Sequence, residues 1–314
     1  MTADAGERPA ERPAERGVVL RGTGGVWVVR TTGGETREAT LRGRLKQAAQ
    51  IKLAVGDEVV LEPPGQDGTW AIAEIMPRRS VLARRAPGGG HGERVVAANV
   101  DQVIVVFAAA QPEPHVRMLD RFLVVAEANE LDAQVVVNKI DLVDPEAARA
   151  RFADYPRAGY SVHFASVRTG VGLPELRESL AGRISAVSGP SGVGKSSLLN
   201  ALYPGLDLRV GAISEAVNKG RHTTVGAWLH PLPGGGFVAD TPGLREVGFW
   251  GLTATVLATC FPEFGPWREH CRFADCSHRV EPGCAVRDAV ERGDVSAARY
   301  ESYTRLYAEL THDT

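Results

Sequence analysis

Apolar positions change period twice along this chain. From Gly17 to about Arg79 they fall in short runs, Val18 to Leu20, Val26 to Val29, Glu38 to Leu41, Glu58 to Leu61 and Thr69 to Ile75, punctuated by Gly24-Gly25, Gly33-Gly34 and Gly65. Short strands at this spacing predict a small β-barrel, with an OB-fold the leading candidate on size and strand number. Trp27 and Trp70 each stand in an apolar strand and are expected in the barrel core. From Val96 the runs lengthen. Val103 to Phe107 reads as a buried strand, Leu119, Phe122, Leu123 and Ala126 as the inner face of a helix, and Leu131 to Val137 as a second strand. Strand, helix, strand in this order is the βαβ unit of a mostly parallel sheet. Tyr160 to Ala165, Ile184 to Val187 and Phe237 to Ala239 extend that sheet, while Pro174 to Leu180 and Lys195 to Leu202 supply helices. Past Thr253 the pattern changes again and closes on one helix, Val295 to Leu310. The expected organisation is a tail 1–16, a barrel 17–80, a linker 81–95 rich in Arg, Gly and Pro, an α/β domain 96–250 and a small helical domain 251–314.

Composition narrows the picture only a little. With 314 residues, 24% charged and 44% hydrophobic, the chain can bury several cores. A formal net charge of -2 argues against binding nucleic acid by bulk charge, so any RNA contact must be local. Arg42-Gly43-Arg44-Leu45-Lys46 is such a local basic stretch, either a phosphate contact or a solvated turn. The repeated Glu-Arg-Pro of Met1 to Arg16 lacks an apolar signal core, and no run reaches the roughly eighteen apolar residues of a membrane helix. A disordered tail on a cytoplasmic protein without membrane contact is expected.

Chemistry concentrates in the α/β domain. Gly189-Pro190-Ser191-Gly192-Val193-Gly194-Lys195-Ser196 matches G-x-x-x-x-G-K-[ST] at every fixed position, between a strand and a helix as that motif requires. The glycines let backbone N–H groups turn toward phosphate, the helix N-terminus favours its charge, Lys195 reaches the β/γ oxygens and the Ser196 hydroxyl can ligate Mg²⁺. Asn138-Lys139-Ile140-Asp141 follows a predicted strand, an N-K-x-D pattern that distinguishes guanine. Asp141 can accept from guanine N1 and N2, Asn138 reaches N7 and the Lys139 stem covers the ring. In Ser166-Val167-Arg168-Thr169-Gly170 a backbone N–H can meet guanine O6. Gly220-Arg221-His222-Thr223-Thr224 offers hydroxyls to Mg²⁺ and the γ-phosphate, with Thr223 and Thr224 both open as the metal contact. Asp240-Thr241-Pro242-Gly243 reads D-x-x-G, with Asp240 holding Mg²⁺ and the Gly243 N–H sensing the γ-phosphate. Base motifs come first, then the P-loop, then the switches, which is a circular permutation of the usual GTPase order.

All four cysteines lie near the C-terminus. Cys271-x4-Cys276-x-His278-x5-Cys284 is a Cys₃His set suited to one tetrahedral, structural zinc ion, and Cys260 stands apart as a buried apolar residue. A filled Cys₃His shell leaves no position for catalytic water, which disfavours a zinc hydrolase.

Barrel, permuted N-K-x-D/P-loop/D-x-x-G order and zinc spacing together resemble the bacterial small ribosomal subunit-dependent GTPase family, RsgA, from Gly17 to about Leu310. The resemblance implies a late assembly factor that binds the immature small subunit through rRNA, hydrolyses GTP there and is released. It implies guanine binding at Asn138, Lys139, Ile140 and Asp141, phosphate and Mg²⁺ binding from Gly189 to Ser197, and zinc at Cys271, Cys276, His278 and Cys284. Leu244 follows Gly243 where many GTPases carry a water-orienting Gln, so that role falls to another residue. His222 is the internal candidate; the alternative is a surface histidine that contacts rRNA. The competing function is an RNA-binding adaptor whose affinity nucleotide tunes without required turnover. A monomer is expected.

Overall fold

The computed structural model describes residues 13–43, 45, 52–64, 68–85, 93–208, 228–240 and 252–312. Strands β1 (Glu15–Thr23), β2 (Val26–Thr31), β3 (Thr36–Leu41), β4 (Glu58–Glu62) and β5 (Trp70–Ile75) close a barrel in the order β1-β2-β3-β5-β4. β1 starts at Glu15, ahead of the Val18 expected from apolar residues alone, because closure pairs Glu15 with Leu61 of β4. Val19, Val29, Val59, Leu61 and Ile72 fill the interior and Trp70 is buried with them. Trp27 is only half-buried; it packs at the margin of that core, and a side chain on Gly22 would strike its ring. Of the basic stretch, Arg42 is ion-paired to Glu62 at 2.5 Å, while Arg44 and Lys46 fall outside the described residues.

The stretch read as a linker contains strands β6 (Val81–Arg85) and β7 (Glu93–Ala98), paired antiparallel; its Gly-rich middle, Pro87 to Gly90, lies outside the described residues. Barrel and sheet meet at a polar joint. Asn99, buried at φ 55°, donates from Nδ2 to the Gly56 carbonyl at 2.9 Å and accepts from the Arg79 N–H at 2.8 Å. Asp57, wholly buried, takes the Arg78 guanidinium at 2.7 Å. Gly56 must be glycine, since at φ 88° a Cβ would run into the Ala98 carbonyl.

The chain then runs through β8 (Gln102–Ala108), α1 (Val116–Ala128), β9 (Asp132–Asn138), α2 (Pro145–Arg151), α3 (Asp154–Arg157), β10 (Ser161–Phe164), α4 (Leu173–Leu180), β11 (Ile184–Ser188), α5 (Lys195–Leu202), β12 (Trp228–Pro231) and β13 (Phe237–Asp240). The sheet order is β10-β9-β8-β11-β13-β12, parallel except for β12. β8 is buried along its whole length, as a strand covered on both faces must be. Val103, Val105 and Phe107 pack under α1, while Ile104 and Val106 pack toward α4 and α5.

Four further helices, α6 (Ala254–Leu257), α7 (Gly265–Arg268), α8 (Ala285–Arg292) and α9 (Ala297–His312), surround a core of Leu257, Phe261, Phe264, Val286, Ala289 and Tyr303. Val124 of α1 belongs to that core, so the C-terminal unit is built directly onto the α/β unit. No helix among the described residues is long and apolar enough to cross a membrane.

Candidate functional site

At the C-terminal end of the central strands the loop 189–194 joins β11 to α5. Two of its glycines are fixed by close approach. A Cβ on Gly189, at φ 131°, would enter the Val106 carbonyl of β8, and one on Gly194, at φ 93°, would lie 2.7 Å from Asn138 Nδ2. Lys195, 8% exposed, turns its ammonium back onto the carbonyls of Gly189 at 2.8 Å and Pro190 at 2.6 Å. A buried ammonium cradled by carbonyls at a helix N-terminus is an electrostatic seat for phosphate. Ser196 is buried beside it on the first turn of α5.

The base motif abuts this loop because β9 lies two strands from β11, with β8 between. Asn138, at the end of β9, donates to the Val193 carbonyl at 2.9 Å; its buried Oδ1 has no partner among the described residues. Lys139 adopts φ 61° and sends Nζ to the Gly192 carbonyl at 2.7 Å and to the Gln111 carbonyl. Asp141 accepts from Ser166 Oγ at 2.6 Å, and Arg168 approaches its other oxygen at 3.9 Å. Thr169 donates its backbone N–H to Ser166 Oγ at 3.2 Å, ordering the turn that carries both residues. Asp240 ends β13 in register with Val187 of β11, so its backbone stands level with the start of the loop. His222, Thr223, Thr224, Gly243 and Leu244 lie outside the described residues. Sequence reasoning missed the Gln111 carbonyl under Lys139, because a backbone acceptor leaves no residue-type signature. Gln111 sits at φ 51°, unusual for its type, and that is visible only in the fold.

The second cluster lies in the C-terminal unit. Ligand atoms of Cys271, Cys276, His278 and Cys284 all fall within 4.8 Å of one another. His278 Nδ1 is 3.5 Å from the sulfurs of both Cys271 and Cys284, which are themselves 4.0 Å apart. Thiolates on one tetrahedral zinc ion stand about 3.8 Å apart, so the four side chains fit a structural zinc site. Burial pushes the Cys276 and Cys284 thiols up, and burial lowers His278 and favours its neutral ring, the form that ligates a metal. Glu281, which the sequence did not flag, organises the knuckle. Its carboxylate accepts backbone N–H groups of Ser277 at 3.0 Å and of Arg279 and Val280 at 3.2 Å. Burial opposes its charge, but the Ser277 hydroxyl and the backbone N–H groups of Ser277, Glu281 and Val280 win and lower its pKa to about 2. Tyr300 and Tyr303 of α9 donate to the His278 and Ser277 carbonyls at 2.7 and 2.6 Å, tying the knuckle to the last helix.

A P-loop on β11, a guanine motif on β9 that precedes it in the chain, and an OB barrel ahead of both define the class as a circularly permuted P-loop GTPase. The RsgA GTPase family model matches residues 75–250, and this chain belongs to that family. It is 65% identical over 297 residues to the Small ribosomal subunit biogenesis GTPase RsgA of Gemmatimonas aurantiaca, covering 94% of this chain and 97% of the relative. The protein of the same name from Moorella thermoacetica is 43% identical over 294 residues, covering 94% and 97%. Among solved structures, YjeQ from Thermotoga maritima superposes with a TM-score of 0.81 at 36% identity, covering 95% of this chain and 99% of that one. YloQ, a circularly permuted GTPase, follows with a TM-score of 0.78 at 28% identity, covering 98% and 99%.

Proposed function

We propose that this chain hydrolyses GTP while bound through rRNA to the small ribosomal subunit and assists that subunit's late maturation. The observation carrying the reading is the placement of Asn138 and Lys139 against the loop 189–194 of a permuted sheet, with Asp141 beside them held by Ser166. In this reading Asp141 accepts from guanine N1 and N2, Asn138 meets N7, the Lys139 stem covers the ring, and a backbone N–H of residues 166–170 meets O6. The loop from Gly189 through Ser197 holds the phosphates, with Ser196 and Asp240 as the protein's groups toward Mg²⁺. Held there, Mg²⁺ would supply positive charge to offset that of the phosphates. Gly243 senses the γ-phosphate, His222 orients the attacking water that Leu244 cannot, and Thr223 or Thr224 completes the metal contact. The subunit stimulates turnover, and loss of the γ-phosphate drives release. Three units, 17–80, 96–250 and 251–314, act in one cytoplasmic monomer that makes no membrane contact, and zinc serves folding rather than chemistry.

The deciding experiment is GTP turnover with purified small subunits, with large subunits and with neither. Acceleration by small subunits alone is expected. Equal rates in all three would remove the ribosomal role, and no turnover in any would remove the enzyme.

A further inference from the structure

The C-terminal unit is held on α1 by a buried ionic cluster that the nucleotide chemistry leaves unused. Side chains of Arg299 on α9 and Asp120 on α1 are each 2% exposed and meet at 2.7 Å. The same guanidinium forks onto Glu263, Nε to Oε1 at 2.7 Å and Nη2 to Oε2 at 3.1 Å. Asp120 also accepts from the Tyr155 hydroxyl at 3.0 Å and from the Ser302 hydroxyl. Burial opposes the arginine's charge, but the two carboxylates prevail and raise its pKa above the ordinary value. A buried guanidinium with all three nitrogens hydrogen-bonded to carboxylates restricts the geometry of the elements that carry it.

What it fixes leads to the nucleotide pocket. The one Tyr155 hydroxyl proton is shared between Asp120 Oδ1 and the Val116 carbonyl, 3.2 Å away, so the phenol bridges two positions of the first turn of α1. Just before that turn, the loop 109–115 gives its Gln111 carbonyl to Lys139 Nζ, and Pro112 stands against Gly192, where an added Cβ would meet Pro112 Cδ at 3.7 Å. Lys139 Nζ in turn holds the Gly192 carbonyl at 2.7 Å. Hydrogen bonds joined by the covalent run 111–116 thus link α9 to the P-loop.

We propose that Arg299 is a positioning residue for the nucleotide pocket: by clamping Asp120 it holds the loop 109–115 in the place that seats Lys139 and Gly192. The inference rests on the guanine-nucleotide reading above. It makes docking of the zinc-bearing unit and affinity for nucleotide reciprocal.

The test uses the full zinc-loaded chain. Arg299→Lys keeps the charge and loses the fork, while Ser302→Ala removes one bond to Asp120 and leaves the charges paired. Measured for each are zinc content, dissociation constant and off-rate for a fluorescent GDP, and the KM and kcat for GTP on small subunits. In Arg299→Lys, zinc content should persist, the GDP dissociation constant and the KM should rise on the order of tenfold, within the usual range of inter-site coupling, and kcat at saturating GTP should hold. Ser302→Ala should weaken nucleotide in the same direction by less, and it decides the matter if Arg299→Lys does not fold. Unchanged nucleotide affinity in the folded variants, even with a more protease-sensitive C-terminal unit, would overturn the inference and leave the cluster purely structural. A fall in kcat at unchanged KM would overturn it as well. Absence of guanine-nucleotide binding by the parent chain would instead sink the proposed function and this inference with it.

Discussion

In the proposed function, Asp141 concentrates the discrimination between bases in one carboxylate. Its side chain is 13% exposed and already holds the Ser166 hydroxyl, so a base lacking two donors would leave it half-paired in a poorly hydrated place. Asp141→Asn should weaken GTP binding by about 2–5 kcal/mol and improve xanthosine triphosphate, whose 2-position accepts. Competition of both nucleotides against labelled GDP checks this, and an unchanged preference would refute the assignment. The grouping of candidate residues was legible in the sequence because fixed spacings carry it: the Cys₃His set from Cys271 to Cys284 gathers in one cluster, and Asn138 and Lys139 lie against the loop that starts at Gly189. Asp120 and Arg299 were not legible. They are 179 positions apart, and a charge beside apolar Leu119 on a helix reads as the start of a solvated face until another element is laid over it.

At the scale of elements, the knuckle and α9 form one piece. Cys276→Ala should lower zinc content and loosen residues 252–312 to protease while guanine-nucleotide binding persists, though weakened through the α9–α1 contact. Limited proteolysis beside a nucleotide titration measures both, and full protease resistance after chelation would refute a folding role for the metal. The barrel and the central strands followed from periodicity, since five alternating runs and the apolar runs of β8, β9 and β11 leave few other folds. β6 and β7 did not, because Arg84, Arg85, Glu93 and Arg94 flank a Gly-rich stretch and mask a pairing that only the opposite strand reveals. β12 also escaped notice: it is four residues long, ends in Pro231 and lies at the sheet edge, where a missing N–H costs little.

For the molecule as a whole the question is what nucleotide can move. The C-terminal unit is seated on α1 by the buried Arg299–Asp120 contact and by apolar packing around Val124, whereas coupling between sites is typically only about 1–3 kcal/mol. The C-terminal unit should therefore stay on α1 through the cycle, with the GTP-dependent difference arising elsewhere than in its detachment. Small-subunit affinity measured with a non-hydrolysable GTP analogue should exceed that with GDP, and His222→Ala should lose stimulated turnover; equal affinities would remove the switch, and undiminished turnover would make His222 a bystander. The strand order also has a consequence in time. β8 pairs with β9 on one side and β11 on the other, yet about 80 residues separate the starts of β8 and β11. At roughly 5–20 residues per second a growing chain carries β8 with one edge bare for about 4–16 s. During that interval the half carrying the N-K-x-D motif exists without the P-loop, so on the proposed reading nucleotide cannot help it fold, and the bare edge is open to mispairing. The strand that closes the edge is the one that delivers the P-loop.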